Sequence, residues 1–168
     1  GSIDGTTDAY IITSPDGVTW TEEANPKNFL LYDVTYGNGL FAAVGAYDGT
    51  DAYIITSPDG VTWTERSNPK NRTLLDVTYG GGFFVAVGEP GPEPDAYLIT
   101  SPDGVTWTER ANPKAKLLFG VTWGNGLFVA VGMGDGTDAY IITSLSGYSD
   151  TGYIRTATMD MGSTPTVD

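Results

Sequence analysis

The sequence predicts an all-β fold built from propeller blades, on three observations. One segment recurs, opening at Asp8-Ala9-Tyr10, Asp51-Ala52-Tyr53, Asp95-Ala96-Tyr97 and Asp138-Ala139-Tyr140, at spacings of 43, 44 and 43 residues. Each full copy divides into four short β-branched and aromatic runs separated by turns rich in Gly, Asn and Pro. No stretch shows helical periodicity. A period of about 40–50 residues made of short strands marks a propeller or a related array, because such a unit cannot bury both its faces alone.

Residues 51–94 show how one copy is built. The run 51–57 is β-branched and aromatic and stops at Pro58-Asp59-Gly60. The run 61–65 follows, with Val61, Trp63 and Glu65 on one face and Thr62 and Thr64 on the other, so the two read as a tight hairpin about an Asp-Gly turn. The polar stretch 67–72 is loop chemistry. A third strand is expected over 74–79 and a fourth over 83–88, joined by Gly80-Gly81-Gly82; the other copies carry Gly37-Asn38-Gly39 and Gly124-Asn125-Gly126 there. These glycine turns are not phosphate loops, since no helix follows to supply the amide cradle. The run Val85-Ala86-Val87 is apolar on both faces, which suits a strand covered on each side by a stacked neighbour.

The fourth copy begins normally, but Leu145-Ser146-Gly147-Tyr148 replaces the Pro-Asp-Gly turn. Residues 152–161 are expected to form a last strand leaving the array, and Gly162-Ser163-Thr164-Pro165 a linker. The expected division is 1–145 as propeller blades and 146–168 as a terminal strand and linker. The chain opens inside a repeat, which predicts a piece of a longer protein.

Composition narrows the function. The chain has 168 residues, enough for one domain with a sizeable core. It has no Cys, hence no disulfide framework and no thiolate metal site, and no His, which removes the usual general base and the commonest zinc ligand. The net charge of −13 repels nucleic acid and anionic membrane surfaces and favours solubility. No run of about 20 apolar residues is present, so no membrane insertion is expected.

Several residue sets are candidates for binding. The repeated Asn-Pro-Lys triplets give Asn25 with Lys27, Asn68 with Lys70 and Asn112 with Lys114, positioned to hydrogen-bond sugar hydroxyls or simply to build turns. Tyr36, Tyr79 and Trp123 share one place at the end of a strand, where they line a central opening and stack on a sugar, or pack the core. Asp48 and Asp51, Asp135 and Asp138, and Asp4 and Asp8 put paired carboxylates near turns, oxygen chemistry that suits Ca²⁺ but equally ordinary turn chemistry. The expectation is no cofactor and no metal. Arg66 and Arg110, with Glu23 at the matching place, lie in different copies and are not expected to converge on one pocket. Loops at 23–29, 66–72 and 110–116 and at 46–50, 89–94 and 133–137 fall on one rim, where the copies differ most; that rim is the expected place for recognition.

Ser14-Pro15-Asp16-Gly17-Val18-Thr19-Trp20, with its copies at 57–63 and 101–107, resembles the Asp-box, a hairpin signature of β-propellers including sialidases. The motif here is one residue shorter between Asp and Trp. The resemblance implies a structural role for Ser14, Asp16, Gly17 and Trp20, for Ser57, Asp59, Gly60 and Trp63, and for Ser101, Asp103, Gly104 and Trp107. The carboxylate would accept turn amides, the glycine would take a positive φ, and the tryptophan would cover the core between blades. It also implies that the box joins the third and fourth strands of a blade, so that 74–79 is the innermost strand, 83–88 the second, 97–101 the third and 105–109 the outermost.

On that order the chain contributes about three blades. A ring needs four to eight, so homo-oligomerisation is expected, two chains making a six-bladed ring, unless upstream blades complete it. The repeats also resemble those of bacteriophage tail-fibre and other virion proteins and of bacterial surface proteins. This implies a non-enzymatic module, in a virion or at a cell surface, that recognises a surface glycan or serves assembly. A sialidase-like glycoside hydrolase and a purely architectural oligomerisation module are the alternatives.

Overall fold

The structure is a computed structural model describing residues 10–27, 29–47, 49, 52–90, 97–112, 116–134, 140–144 and 156–158. It is all-β, with antiparallel pairing throughout and no helix among the described residues. A two-stranded hairpin, β1 (Ile11–Thr13) with β2 (Thr21–Glu23), precedes three four-stranded sheets. The first sheet is β3 (Leu31–Gly37), β4 (Leu40–Tyr47), β5 (Ala52–Ser57) and β6 (Thr64–Arg66). The second is β7 (Leu74–Gly80), β8 (Phe83–Gly88), β9 (Leu98–Ser101) and β10 (Thr108–Glu109). The third is β11 (Leu118–Gly124), β12 (Leu127–Gly132), β13 (Tyr140–Ser144) and β14 (Thr156–Thr158). Strands follow one another across each sheet in chain order.

The turns explain this meander. Asn38 and Gly39 have φ of 49° and 75°, Gly81 and Gly82 of 55° and 84°, and Asn125 and Gly126 of 50° and 78°. Two consecutive positive φ values make the turn whose twist matches that of the flanking strands, so each first strand folds directly onto the second, with Gly37 opposite Leu40. Each first strand also carries a bulge, between Leu31 and Asp33, Leu74 and Asp76, and Leu118 and Gly120.

Two expectations are corrected. The strand after each Ser-Pro-Asp-Gly turn, the fourth of its sheet in the first two sheets, starts three residues later than its sequence suggests: Val61 and Thr62 lie in the turn, and pairing resumes only with Thr64 opposite Thr56. The reason is local, since the Asp59 Oδ1 accepts both the Val61 and Thr62 N–H, at 2.9 and 2.7 Å, and so withdraws them from any ladder. The tail, expected to leave the array, instead sets Thr156–Thr158 beside Ile142–Ser144 as the fourth strand of the third sheet.

The sheets stack in series. One face of the first sheet (Ala42, Val44, Ile54) packs on the second (Val77, Phe84, Ala86, Ile99). The opposite face of the second (Val85, Val87, Leu98) packs on the third (Val121, Phe128, Ala130, Ile142) in the same way. Ile11 of the hairpin covers Ala43, Tyr53 and Ile55 on the remaining face of the first sheet. Contacts between sheets run through the first strands, β7 lying against both β3 and β11.

Candidate functional site

The Ser-Pro-Asp-Gly turns come first, being the most repeated polar feature. The Ser57 hydroxyl donates to Asp59 Oδ1 at 2.8 Å and accepts the Gly60 N–H at 2.8 Å. Ser14 with Asp16, and Ser101 with Asp103, repeat the pattern. The Asp16 Oδ1 accepts the Val18 and Thr19 amides, each at 2.8 Å, and the Asp103 Oδ1 those of Val105 and Thr106, also at 2.8 Å. Gly17, Gly60 and Gly104 take φ of 73°, 78° and 72°. These amide bonds hold the three carboxyls below their usual range, Asp59 at about 2. The indole N–H of Trp63 and of Trp107 donates to the carbonyl of the turn glycine, at 2.9 and 3.1 Å. Trp107 is buried between sheets, Trp63 partly so, and Trp20, with no preceding sheet to cover among the described residues, is 55% exposed.

The Asn-Pro-Lys loops are fasteners. Each is tied by its asparagine to a tyrosine at the start of the third strand of the sheet that follows. Tyr53 donates to Asn25 Oδ1 at 2.5 Å and accepts the Lys27 N–H at 2.9 Å. Tyr97 donates to Asn68 Oδ1 and accepts the Lys70 N–H at 3.1 Å, and Tyr140 donates to Asn112 Oδ1. The Lys27 ammonium meets Glu65 at 2.5 Å and that of Lys70 meets Glu109 at 2.7 Å. Asn68 and Asn112 are buried, so neither carboxamide faces solvent as a sugar contact. Lys114 lies outside the described residues, as do Asp4, Asp8, Asp48, Asp51, Asp135 and Asp138 of the Ca²⁺ reading. Among the described residues no group of three acidic, His or Cys side chains is placed to hold a metal ion.

The fastener has a measurable weight. Tyr97→Phe removes a buried hydroxyl and leaves the Asn68 oxygen and the Lys70 N–H only their own long contact of 3.3 Å, an expected loss of about 1–3 kcal/mol. Tyr10, at the same repeat position but 68% exposed, is expected to tolerate Phe within about 0.5 kcal/mol. Urea denaturation of the two variants checks the contrast.

Tyr36, Tyr79 and Trp123 each lean on the phenylalanine across the turn, Phe41, Phe84 and Phe128, at ring separations of 4.6, 4.7 and 4.5 Å. Tyr79 also lies over Gly37, and Trp123 over Gly80, of the preceding sheet, so closely that a Cβ at either glycine would come within 2.0 Å of the ring. Only Tyr36, 58% exposed, presents most of its surface. Arg66 and Arg110 do not converge; each Nε donates within its own sheet, to Thr56 and Thr100 at 2.8 and 2.9 Å.

Sequence reasoning missed the acidic link between first strands. Asp33 Oδ2 accepts the Val77 N–H of the next sheet at 2.8 Å, and Asp76 Oδ2 that of Val121 at 2.6 Å. The available signal was an Asp-Val pair in two copies with Gly120 replacing the third Asp. Burial, then the hydrogen bond and charge of Asp76, push the Asp33 carboxyl up to about 6. The folded state therefore binds a proton more tightly than the unfolded chain, and stability should rise as pH falls from about 6 to about 4. For this half-buried group the gain is about 1 kcal/mol after allowance for solvent screening. Below that window the Ser-Pro-Asp-Gly carboxylates lose their charge and stability falls again. Asp33→Asn, which keeps the shape of the protonated acid, should flatten the rise; thermal melts between pH 4 and 7 read it.

Two of the clefts among the described residues bear on binding. One, of about 650 Å³, lies between the hairpin and the first sheet and is lined by Ile12, Trp20, Leu31, Val34, Tyr36 and Phe41 among others. The other, of about 480 Å³, is bounded by Tyr47, Lys70, Arg72 and Glu89, on the loops expected to form the variable rim. The Asn-Gly turn of the first sheet and the Ser-Pro-Asp-Gly turn of the second share the opposite rim, Asn38 Nδ2 reaching the Pro102 carbonyl at 3.5 Å. Among the described residues no helix is long and apolar enough to cross a membrane. Comparison with protein-family models and with curated protein sequences gives no match.

Proposed function

We propose that the chain is a non-enzymatic β-propeller module serving assembly and display in a virion tail or a surface protein. The observation that carries this reading is the repeated junction. The same face of one sheet meets the same opposite face of the next, twice in series, with the first strands adjoining. Units joined that way turn about the side where the first strands lie, which is the geometry of blades about an axis. Apart from the part of the first sheet that the hairpin covers, the two end faces are open among the described residues and match each other. Val34 is 56% exposed where Val77 is 3%, and Val131 is 44% exposed where Val87 is 0%. The repeated polar side chains, Asp16, Asp59, Asp103, Asn68, Asn112, Arg66 and Arg110, are engaged in holding the scaffold, which supports a structural over a hydrolytic role.

Light-scattering mass and negative-stain images test the proposal. A closed ring at a multiple of 17.8 kDa is expected, and a folded monomer at high concentration refutes it. Turnover of a fluorogenic sialoside would favour the hydrolase instead. Recognition of a surface glycan is a second reading, favoured by the cleft at Tyr47, Lys70, Arg72 and Glu89, which joins an aromatic ring to charged hydrogen-bonding groups. A glycan array, with Tyr47→Ala and Arg72→Ala as controls, tests that reading.

A further inference from the structure

We infer that β1 and β2 of one copy complete the third sheet of a second copy, lying beside β12 in place of β13 and β14. The inference rests on the propeller reading and specifies how two copies join.

Straightforward stacking of whole sheets is blocked. Ile11 on β1 already covers Ala43, Tyr53 and Ile55, the outer half of the free face of the first sheet. The inner half of that face is the open cleft of about 650 Å³, walled by Leu31, Val34, Tyr36 and Phe41. An incoming third sheet can therefore seat β11 and β12 in the cleft, but its β13 and β14 would meet the hairpin already there. The conflict disappears if the hairpin itself becomes the third and fourth strands of the incoming sheet.

The sequence equips the hairpin for that exchange. Residues 8–14 and 138–144 are identical, Asp-Ala-Tyr-Ile-Ile-Thr-Ser. β12 pairs with β13 through Val129 opposite Thr143, Ala130 opposite Ile142, Val131 opposite Ile141 and Gly132 opposite Tyr140. β1 can take the same register, with Thr13, Ile12, Ile11 and Tyr10 in those four places. The exchanged hairpin also brings what β13 lacks, since the Ser14–Asp16 turn follows β1 while Leu145-Ser146-Gly147 follows β13.

Residues exposed in the single chain then find the partners their repeats already have. Tyr10, 68% exposed, reaches Asn112 as Tyr53 reaches Asn25. Trp20, 55% exposed, faces Phe128 as Trp63 faces Phe41 at 6.4 Å and Trp107 faces Phe84 at 6.3 Å. Tyr36 of one copy settles on Gly124 of the other as Tyr79 settles on Gly37; a Cβ on Gly124 would meet nothing within 4 Å in the single chain. Made reciprocally by two copies, the exchange is a closed two-fold assembly, and replacing one strand by an identical one costs little.

The chain has no Cys, so a cross-link reads the exchange cleanly. In full-length Thr13→Cys/Val129→Cys, cross-strand partners at disulfide distance should give, on oxidation, a reducible dimer at twice 17.8 kDa. The control Val129→Cys/Thr143→Cys joins residues that face each other in the single chain and shows whether Cys is accepted at 129. Gly124→Ala should weaken association at least tenfold while leaving the melting temperature of the dilute monomer unchanged. A wild-type monomer at about 100 µM overturns both the inference and the propeller assembly. A wild-type dimer whose Thr13→Cys/Val129→Cys variant stays uncrosslinked, or crosslinks only within one chain, overturns the exchange and leaves the assembly standing.

Discussion

Gly80→Ala should lower the melting temperature by roughly 6–12 °C, the shift that about 3 kcal/mol produces in a chain of this length. Gly80 ends β7 where Trp123 of the next sheet lies flat on the backbone, and a Cβ would come within 2.0 Å of the indole Cγ. The atoms met are at the base of the ring, so no terminal rotation relieves the overlap; Trp123 would have to leave Phe128, its stacking partner at 4.5 Å. Gly37→Ala should do the same at the preceding junction, against Tyr79. Gly124→Ala is the control, because that position is open in the single chain and its φ is not in the left-handed region. Differential scanning calorimetry of the three variants at low concentration orders them. Equal effects at 80 and 124 would contradict the stacking of the second sheet on the third.

Asp103→Ala should cost about 2 kcal/mol, two backbone hydrogen bonds at their net value of about 1 kcal/mol each. Its carboxylate holds the Val105 and Thr106 amides, and the buried Ser101 hydroxyl that donates to it also accepts the Gly104 N–H. The carboxylate is exposed, so water replaces part of what is lost and the net figure applies rather than the gross one. Asp103→Asn keeps one oxygen at Oδ1 and should recover most of the stability. Asp16→Ala, in a hairpin whose Trp20 is mostly exposed, should cost less than Asp103→Ala, where Trp107 is packed into the core. Guanidinium denaturation followed by tryptophan fluorescence measures these differences, and a silent Asp103→Ala would refute a structural role for the turn.

The local part of this architecture was legible because it is written in short-range terms. Asn38-Gly39 and Gly81-Gly82 announce turns needing consecutive positive φ, and the apolar run Phe84–Val87 announces a strand covered on both faces. The start of the strand after the Ser-Pro-Asp-Gly turn was misplaced because alternation at Val61, Thr62 and Trp63 looks extended, whereas a side-chain oxygen two and three residues back captures the Val61 and Thr62 amides first. The inward setting of Asn68 and Asn112, read as sugar contacts or turn residues, was not legible for a different reason. Their tyrosine partners stand 29 and 28 residues further along the chain, and no pattern within the loop shows that the carboxamide is turned inward.

By itself, then, the sequence determined the repeating unit: four short antiparallel strands, their turns, and two apolar faces that one unit cannot cover. Periodicity and turn chemistry act over a few residues, and a repeat states them several times. Which face meets which sheet was decided only in the tertiary structure. The bonds that fix it, Asp33 to Val77 and Asp76 to Val121, span 44 and 45 residues. Three-dimensional packing alone also distinguished chemically equal repeats, burying Val77 and leaving Val34 bare, because burial depends on what a neighbouring sheet covers and not on the residue itself.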